Sequence, residues 1–230
     1  MQPVVALVAA AGSGSRLGGP VPKALLELAG VPLVRRSVEQ LAAGGAQRAV
    51  IVVAAGLEPD FERALAGAPI ECQLVTGGAE RQESVRRGLA ACAGPGEDAV
   101  VLVHDAARPL VPAEVVAAVV SAVRAGLRAV VPVLPVIDSI RRVTGDDSVV
   151  VDRAELVGVQ TPQGFDLATL RSAHEQVAAR GLAVTDDAAC CEAIGVPVHL
   201  VPGSRLSMKV TEPVDVRIAE ALLSAPALPE

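Results

Sequence analysis

A doubly wound α/β fold around a mostly parallel sheet is predicted by three features of the 230-residue sequence. Short runs of Val, Ile, Leu and Ala recur without polar–apolar alternation, the pattern of strands covered on both faces. Stretches with helical periodicity separate these runs, and strand–helix alternation of this kind builds a parallel, Rossmann-like sheet. Aromatic residues make up only 1% of the chain, two Phe with neither Trp nor Tyr, so aliphatic side chains and closely packed helices must close the core.

Residues 4–10 read as the first strand, followed by a glycine-rich loop and a helix over 34–43. Residues 48–54, 71–76, 99–103 and 129–133 repeat the strand pattern, with helices expected over 60–66, 80–91 and 112–125 between them. In the last of these, Val115, Val116, Val119, Val120 and Val123 form the stripe of an α-helix despite their β-branching. Beyond Pro135 the rhythm changes. Residues 138–143 and 149–152 flank Gly145-Asp146-Asp147 as strand, turn and strand, so 136–155 reads as a protruding β-hairpin arm. Helices return at 166–179 and 186–194, strands at 198–201 and near 208–210, and a last helix at 212–223. The tail, with Pro226 and Pro229, is expected to fray. With no internal repeat and no long linker, residues 1–230 read as a single domain with the arm as an appendage.

Composition excludes several functions. Two rings cannot supply the stacking platforms of a single-strand nucleic-acid binder. A net charge of -6, from 20 basic and 26 acidic residues, disfavours wholesale phosphate-backbone binding. Disorder is excluded by 51% hydrophobic and only 20% charged residues. Mean hydropathy is high at +0.47, yet no apolar run approaches the roughly 18 residues of a membrane span. Ala9-x-Ala11 imitates a signal-peptide cleavage site, but there is no positive segment before it and a glycine loop follows at once, so none is expected. Cys72, Cys92, Cys190 and Cys191 have no CxxC pattern and no nearby His at ligand spacing in the sequence. They read as small buried hydrophobes of a reducing cytoplasm, without a disulfide.

Chemistry is expected at the carboxyl ends of the strands. The first strand runs into Ala9-Ala10-Ala11-Gly12-Ser13-Gly14-Ser15-Arg16, and Pro22-Lys23 follows. Small residues let backbone N–H groups approach an anion, and Arg16 and Lys23 add two cations suited to a triphosphate. Gly12-x-Gly14-x-x-x-Gly18 misses the dinucleotide spacing, Pro20 and Pro22 break the helix that should follow, and Lys23 after Pro22 is no Walker lysine. Gly77-Gly78 opens a helix on which Arg81, Ser84 and Gly88 share a face, enough polar groups to read a pyrimidine edge. His104-Asp105-Ala106-Ala107-Arg108 follows a buried strand, with a carboxylate for a cation and an arginine for a phosphate. A lone His after an apolar strand is more often structural than a base.

The glycine loop resembles the signature of nucleotidyltransferases acting on sugar and polyol phosphates. Gly77-Gly78-Ala79-Glu80-Arg81, His104-Asp105-Ala106-Ala107-Arg108-Pro109, Thr161-Pro162-Gln163-Gly164-Phe165, Thr185-Asp186-Asp187-Ala188 and Lys209-Val210-Thr211 follow in the order of one family. Over residues 3–223 the chain is similar to the 2-C-methyl-D-erythritol 4-phosphate cytidylyltransferases of the non-mevalonate isoprenoid route. That resemblance implies a homodimeric, Mg²⁺-dependent transfer of cytidylyl from CTP to a small polyol phosphate, releasing pyrophosphate. It implies that Arg16, Lys23 and Lys209 are catalytic and that Asp105 holds the metal. Ala10, Ala11, Gly12, Gly14, Gly78, Arg81, Ser84 and Asp105 would bind the nucleotide. Asp105, Arg108, Ser139, Arg153, Thr161, Thr185 and Lys209 would bind the acceptor, with Ser139 and Arg153 reaching the partner subunit's site on the arm. Thr185 also reads as a simple helix N-cap.

The sequence departs from the family at Ala79, where relatives often carry a polar residue, at Ser139 for the commoner Thr, and at Ile137, where a cation is frequent. Two rivals stand beside this reading. A ribitol 5-phosphate cytidylyltransferase would share the nucleotide half. A non-catalytic nucleotide module or an NAD-linked oxidoreductase is opposed by the joint presence of Arg16, Lys23, Asp105 and Lys209 and by the glycine spacing.

Overall fold

The computed structural model describes residues 2–12, 21–92 and 98–225. Strand β1 (Val4–Ala9) is followed by a small ladder of β2 (Glu27–Leu28) and β3 (Val31–Pro32), then α1 (Leu33–Ala43), β4 (Arg48–Val53), α2 (Glu58–Leu65), β5 (Glu71–Thr76) and α3 (Arg81–Ala91). Next come β6 (Val100–Asp105), α4 (Ala113–Arg124), β7 (Ala129–Pro135) and a hairpin of β8 (Ile140–Thr144) and β9 (Asp147–Val151). The chain closes with β10 (Val157–Val159), β11 (Gln163–Asp166), α5 (Leu167–Ala179), α6 (Asp187–Glu192), β12 (His199–Pro202) and α7 (Pro213–Ser224).

An 8-stranded sheet carries the fold. Strands β5, β4, β1 and β6 are parallel neighbours, and β12 runs parallel to β7. Between β6 and β7 lies β11, antiparallel to both, while β10 pairs antiparallel with the end of β7. The sheet is therefore parallel for most of its pairs, as expected, but has an antiparallel insertion that the sequence pattern does not reveal.

Burial explains why the strands lack alternation. In β1, Val4, Ala6 and Val8 join α1, α2 and α4 in one core, whereas Val5 and Leu7 join α3, α5 and α6 in the other. Both faces are covered, so both parities must be apolar. Each core receives one of the two rings, Phe61 in the first and Phe165 in the second.

Several boundaries differ from expectation. The arm's turn is a two-residue loop, because Asp147 already pairs with Thr144. Gly145 takes a φ of 63°, which a first turn residue of this tight kind needs. No strand forms at residues 208–210. Instead a 3-10 turn at Arg205–Ser207 leads into an extended link whose Val210 N–H donates to the Ala107 carbonyl at 2.8 Å. The cap of α6 is Asp186, whose carboxylate accepts from Ala189 N–H at 2.9 Å, and not Thr185. Residues 226–230, where fraying was expected, lie outside the described residues.

Candidate active site

From β1 the chain moves outward to β4 and β5, then returns past β1 to β6. Such a reversal leaves a crevice at the carboxyl ends of the strands. A cleft of about 540 Å³ opens there. Its walls are the end of β1 and the segment that follows (Ala9, Ala10, Ala11, Gly12), Lys23, the approach to α3, the Asp105-Ala106-Ala107 corner at the end of β6, and the link bearing Lys209 and Thr211. Of the nucleotide-side residues expected from the sequence, Ala10, Ala11, Gly12, Gly78, Arg81, Ser84 and Asp105 all line this space. Gly14 and Arg16 fall outside the described residues.

Asp105 is the last residue of β6, in register with Ala9 at the end of β1. Its Oδ2 lies 2.7 Å from Lys209 Nζ and 3.9 Å from Arg108 Nε. Burial pushes the carboxyl upward, but Lys209, Arg108 and Arg81 together outweigh this and hold it below its ordinary value. Lys209 is not on a strand, although one was expected near 208–210. Its side chain is 44% exposed, on a link anchored by the Val210 bond to Ala107 and by Thr211 N–H donating to Asp215 Oδ2 at 2.7 Å. Asp215 belongs to the capping box of α7, so a helix start holds the lysine's backbone in place.

Behind Asp105 lies a sealed relay. Asp105 N–H donates to Thr161 Oγ1 at 3.0 Å, and that hydroxyl lies 3.1 Å from His104 Nδ1. The His104 Nε2 is 3.2 Å from the Arg108 carbonyl, which can only accept. The ring therefore carries its proton on Nε2 and accepts from Thr161 on Nδ1. Burial lowers the His104 pKa to about 4, so it stays neutral and braces the corner instead of acting as a base. Thr161 is buried and lies behind the cleft wall, bonded to the backbone of Asp105.

Titration of His104 should be visible in stability. The folded ring binds a proton only near pH 4, whereas an unfolded histidine does so near about 6.5. Between these values the unfolded chain holds more protons, so stability falls as pH drops through that window, by up to about 3 kcal/mol from this group. A His104→Gln variant lacks the titration. Its urea midpoint should fall less than the wild type's on going from neutral to mildly acidic pH, and an equal fall would remove His104 as the cause.

The other wall is the start of α3. Gly78 N–H donates to Ser84 Oγ at 3.0 Å, and Ala79 N–H donates to Glu83 Oε2 at 2.9 Å. Side chains one turn into the helix thus satisfy the N–H groups that precede it. Gly77 is required by close approach, since a Cβ there would sit 2.8 Å from Ser84 Oγ and 3.1 Å from Ala11 Cβ. Arg81, the first residue of α3, reaches back from the cleft to Asp187 Oδ2 at 2.5 Å. Asp187 was not singled out as a site residue by the sequence. It is 106 positions from Arg81 and reads there as one more acid at a helix start.

Of the acceptor-side residues, Asp105 and Lys209 meet in the cleft, and the others are dispersed. The Arg108 guanidinium turns away from the cleft, donating to the Ser207 carbonyl at 2.7 Å and the Val159 carbonyl at 3.4 Å. Ser139 and Arg153 belong to the arm and do not line their own chain's cleft, and neither does Thr185. Arg153 donates to the Ile137 carbonyl across the base of the arm. Among the described residues no group of three or more His, Cys, Asp or Glu is placed to share a metal. One hard carboxylate, Asp105, does suit Mg²⁺, which takes most of its ligands from substrate phosphates and water.

Residues 4–225 match the family model described as 2-C-methyl-D-erythritol 4-phosphate cytidylyltransferase. A protein of that name from Saccharopolyspora erythraea is 50% identical over 225 residues, covering 96% of this chain and 99% of the relative. One from Nocardia farcinica is 46% identical over 222 residues, covering 96% and 94%. The crystal structure of such an enzyme from Thermus thermophilus superposes with a TM-score of 0.78 at 36% identity, covering 95% of this chain and 98% of that one.

Proposed function

This chain belongs to the 2-C-methyl-D-erythritol 4-phosphate cytidylyltransferase family, and from that premise we propose how its cleft moves the cytidylyl group of CTP onto 2-C-methyl-D-erythritol 4-phosphate. The products are 4-diphosphocytidyl-2-C-methyl-D-erythritol and pyrophosphate. The observation that carries the reading is the Lys209–Asp105 pair at 2.7 Å, in a cleft also lined by Ala9, Ala10, Ala11 and Gly12 and by the start of α3.

The base of CTP lies against Ala10, Gly78, Arg81 and Ser84, where N–H groups, a hydroxyl and a guanidinium replace the stacking that a chain almost without rings cannot offer. Lys23, with Arg16, takes the triphosphate. Lys209 meets the α-phosphate and the incoming acceptor. A phosphate oxygen of the acceptor, already ionised at neutral pH, attacks the α-phosphorus in line. The new P–O bond forms as the bond to the β-phosphate oxygen breaks, and the electron pair leaves with pyrophosphate. No proton has to be removed, which fits a site whose nearest histidine is sealed and neutral. Positioning and charge stabilisation do the rest. Asp105 would hold Mg²⁺ together with phosphate oxygens, where the ion neutralises charge on the transferring group.

The arm completes the acceptor site in trans. Val143 and Val150, 74% and 68% exposed, share one face of the arm, an apolar surface that a second copy would cover. In a homodimer, Ser139 and Arg153 of one subunit serve the partner's cleft. The enzyme works in the cytoplasm, where its four cysteines stay as thiols. No helix among the described residues is long and apolar enough to cross a membrane.

Pyrophosphate release tests this reading. It should require CTP, 2-C-methyl-D-erythritol 4-phosphate and a divalent cation together. Equal turnover of ribitol 5-phosphate would reject the acceptor, and full activity in excess EDTA would reject the role of Asp105 as metal holder. Sedimentation at micromolar protein should report a dimer; a fully active monomer would exclude the contribution of Arg153 in trans.

A further inference from the structure

The carboxylate of Asp187 is 1% exposed, does not line the cleft, and takes no part in the transfer described above. Both of its oxygens are used. Oδ2 accepts from Arg81 at 2.5 Å, and Oδ1 accepts from His174 Nε2 at 3.0 Å. His174 is itself buried on α5, with Cys190 Sγ 3.9 Å from its Nδ1. The backbone around Asp187 is equally constrained. Asp186 caps α6 through Ala189 N–H and accepts from Gln163 Nε2 at 2.9 Å, while Gln163 Oε1 accepts from Ala188 N–H at 3.2 Å. The carboxylate is thereby tied to α5, α6 and β11, three elements outside the cleft wall that carries Arg81.

Burying such a pair is costly, and well-packed apolar residues of the same volume often serve stability as well or better. Stability alone is therefore a weak reason for Asp187 to be ionic. Orientation is a stronger one. The guanidinium is a rigid planar fork, so fixing one Nη against a buried acceptor restricts the plane of the whole group. Arg81 is then held by a partner outside the cleft while the residue itself lines the cleft along with Ser84 and Gly78. We propose that Asp187, backed by His174, is a positioning residue that presents Arg81 to the nucleotide, and so governs nucleotide affinity without touching substrate. The inference rests on the reading that places CTP against the start of α3.

Equilibrium titration of CTP and steady-state kinetics on Arg81→Met, Asp187→Asn and the double variant test it. Each single change should weaken CTP binding by about tenfold, the scale of a lost hydrogen bond to a charged group, and leave the KM for the acceptor unchanged. The double variant should bind CTP no more weakly than the weaker single one, because Asp187 acts only through Arg81. A structural role alone would not separate the two substrates in this way. If Arg81→Met leaves CTP affinity intact, the nucleotide placement fails. If Arg81→Met weakens CTP while Asp187→Asn does not, or if the two losses multiply, the positioning role fails and the placement stands. Comparing Arg81→Met with the double variant needs no folded Asp187→Asn, and a further loss in the double variant overturns the proposal.

Discussion

Replacing Lys209 with Met should lower kcat/KM by at least about 100-fold and shift the acidic limb of its pH profile toward higher pH. The first effect is the loss of a cation at the transferring phosphate. The second follows from the 2.7 Å pair with Asp105. Burial drives the Asp105 carboxyl upward, and Lys209 is the largest of the three cations that hold it down. Without Lys209 the burial contribution meets only Arg108 and Arg81, so the carboxyl takes up its proton at a higher pH and becomes a poorer metal holder and anion partner. Initial rates across the acid range, for the variant and the wild type, read both effects. An unmoved acid limb would separate Asp105 from the pH dependence, whatever happened to the rate.

Lys23→Ala should cost at least about 100-fold in kcat, about 3 kcal/mol of transition-state stabilisation. Lys23 lines the cleft from the 3-10 turn Lys23–Leu25. Pro22 enters this turn at a φ of -54°, and its carbonyl accepts from Leu25 N–H at 2.9 Å, which sets the lysine's backbone before any ligand arrives. A cation that acts on charge developing in the triphosphate should affect kcat more than the KM for CTP. Single-turnover rates at saturating CTP measure this. Near-normal kcat in the variant would remove Lys23 from the mechanism.

Strands β1, β4, β5, β6 and β7 and the first four helices were legible because period and burial coincide. Where both faces of a strand are covered, every residue from Val4 to Val8 must be apolar, and one sequence shows it. Strand β11 was illegible for the opposite reason. It is a 4-residue segment containing Gly164 and following Pro162, and it becomes a strand only because β6 and β7 offer it partners on both sides. Residues 208–210 mislead in reverse: the pattern looks like a strand, but Val210 donates to Ala107 at a single point and no ladder forms.

The candidate site divides along the same line. Its nucleotide side is drawn from short local motifs after β1, before α3 and after β6, and each of these can be recognised because glycines, alanines and a following charge must be adjacent in sequence to build a phosphate or base contact. Lys209 and Asp105 were nameable one by one, yet their pairing was not, nor was the exposure of the lysine. The roles of Thr161 and His104 as a brace, the turning of Arg108 toward Ser207 and Val159, and the support of Arg81 by Asp187 were decided only by tertiary structure. Local sequence specifies periodicity, turns and the kinds of chemical group available. Which groups meet depends on contacts such as the one spanning 106 positions between Arg81 and Asp187, where no local pattern records the partner. The scarcity of rings is evident from composition alone; the packing of α5 and α6 behind α3, which brings Asp187 to Arg81, is decided only by the fold.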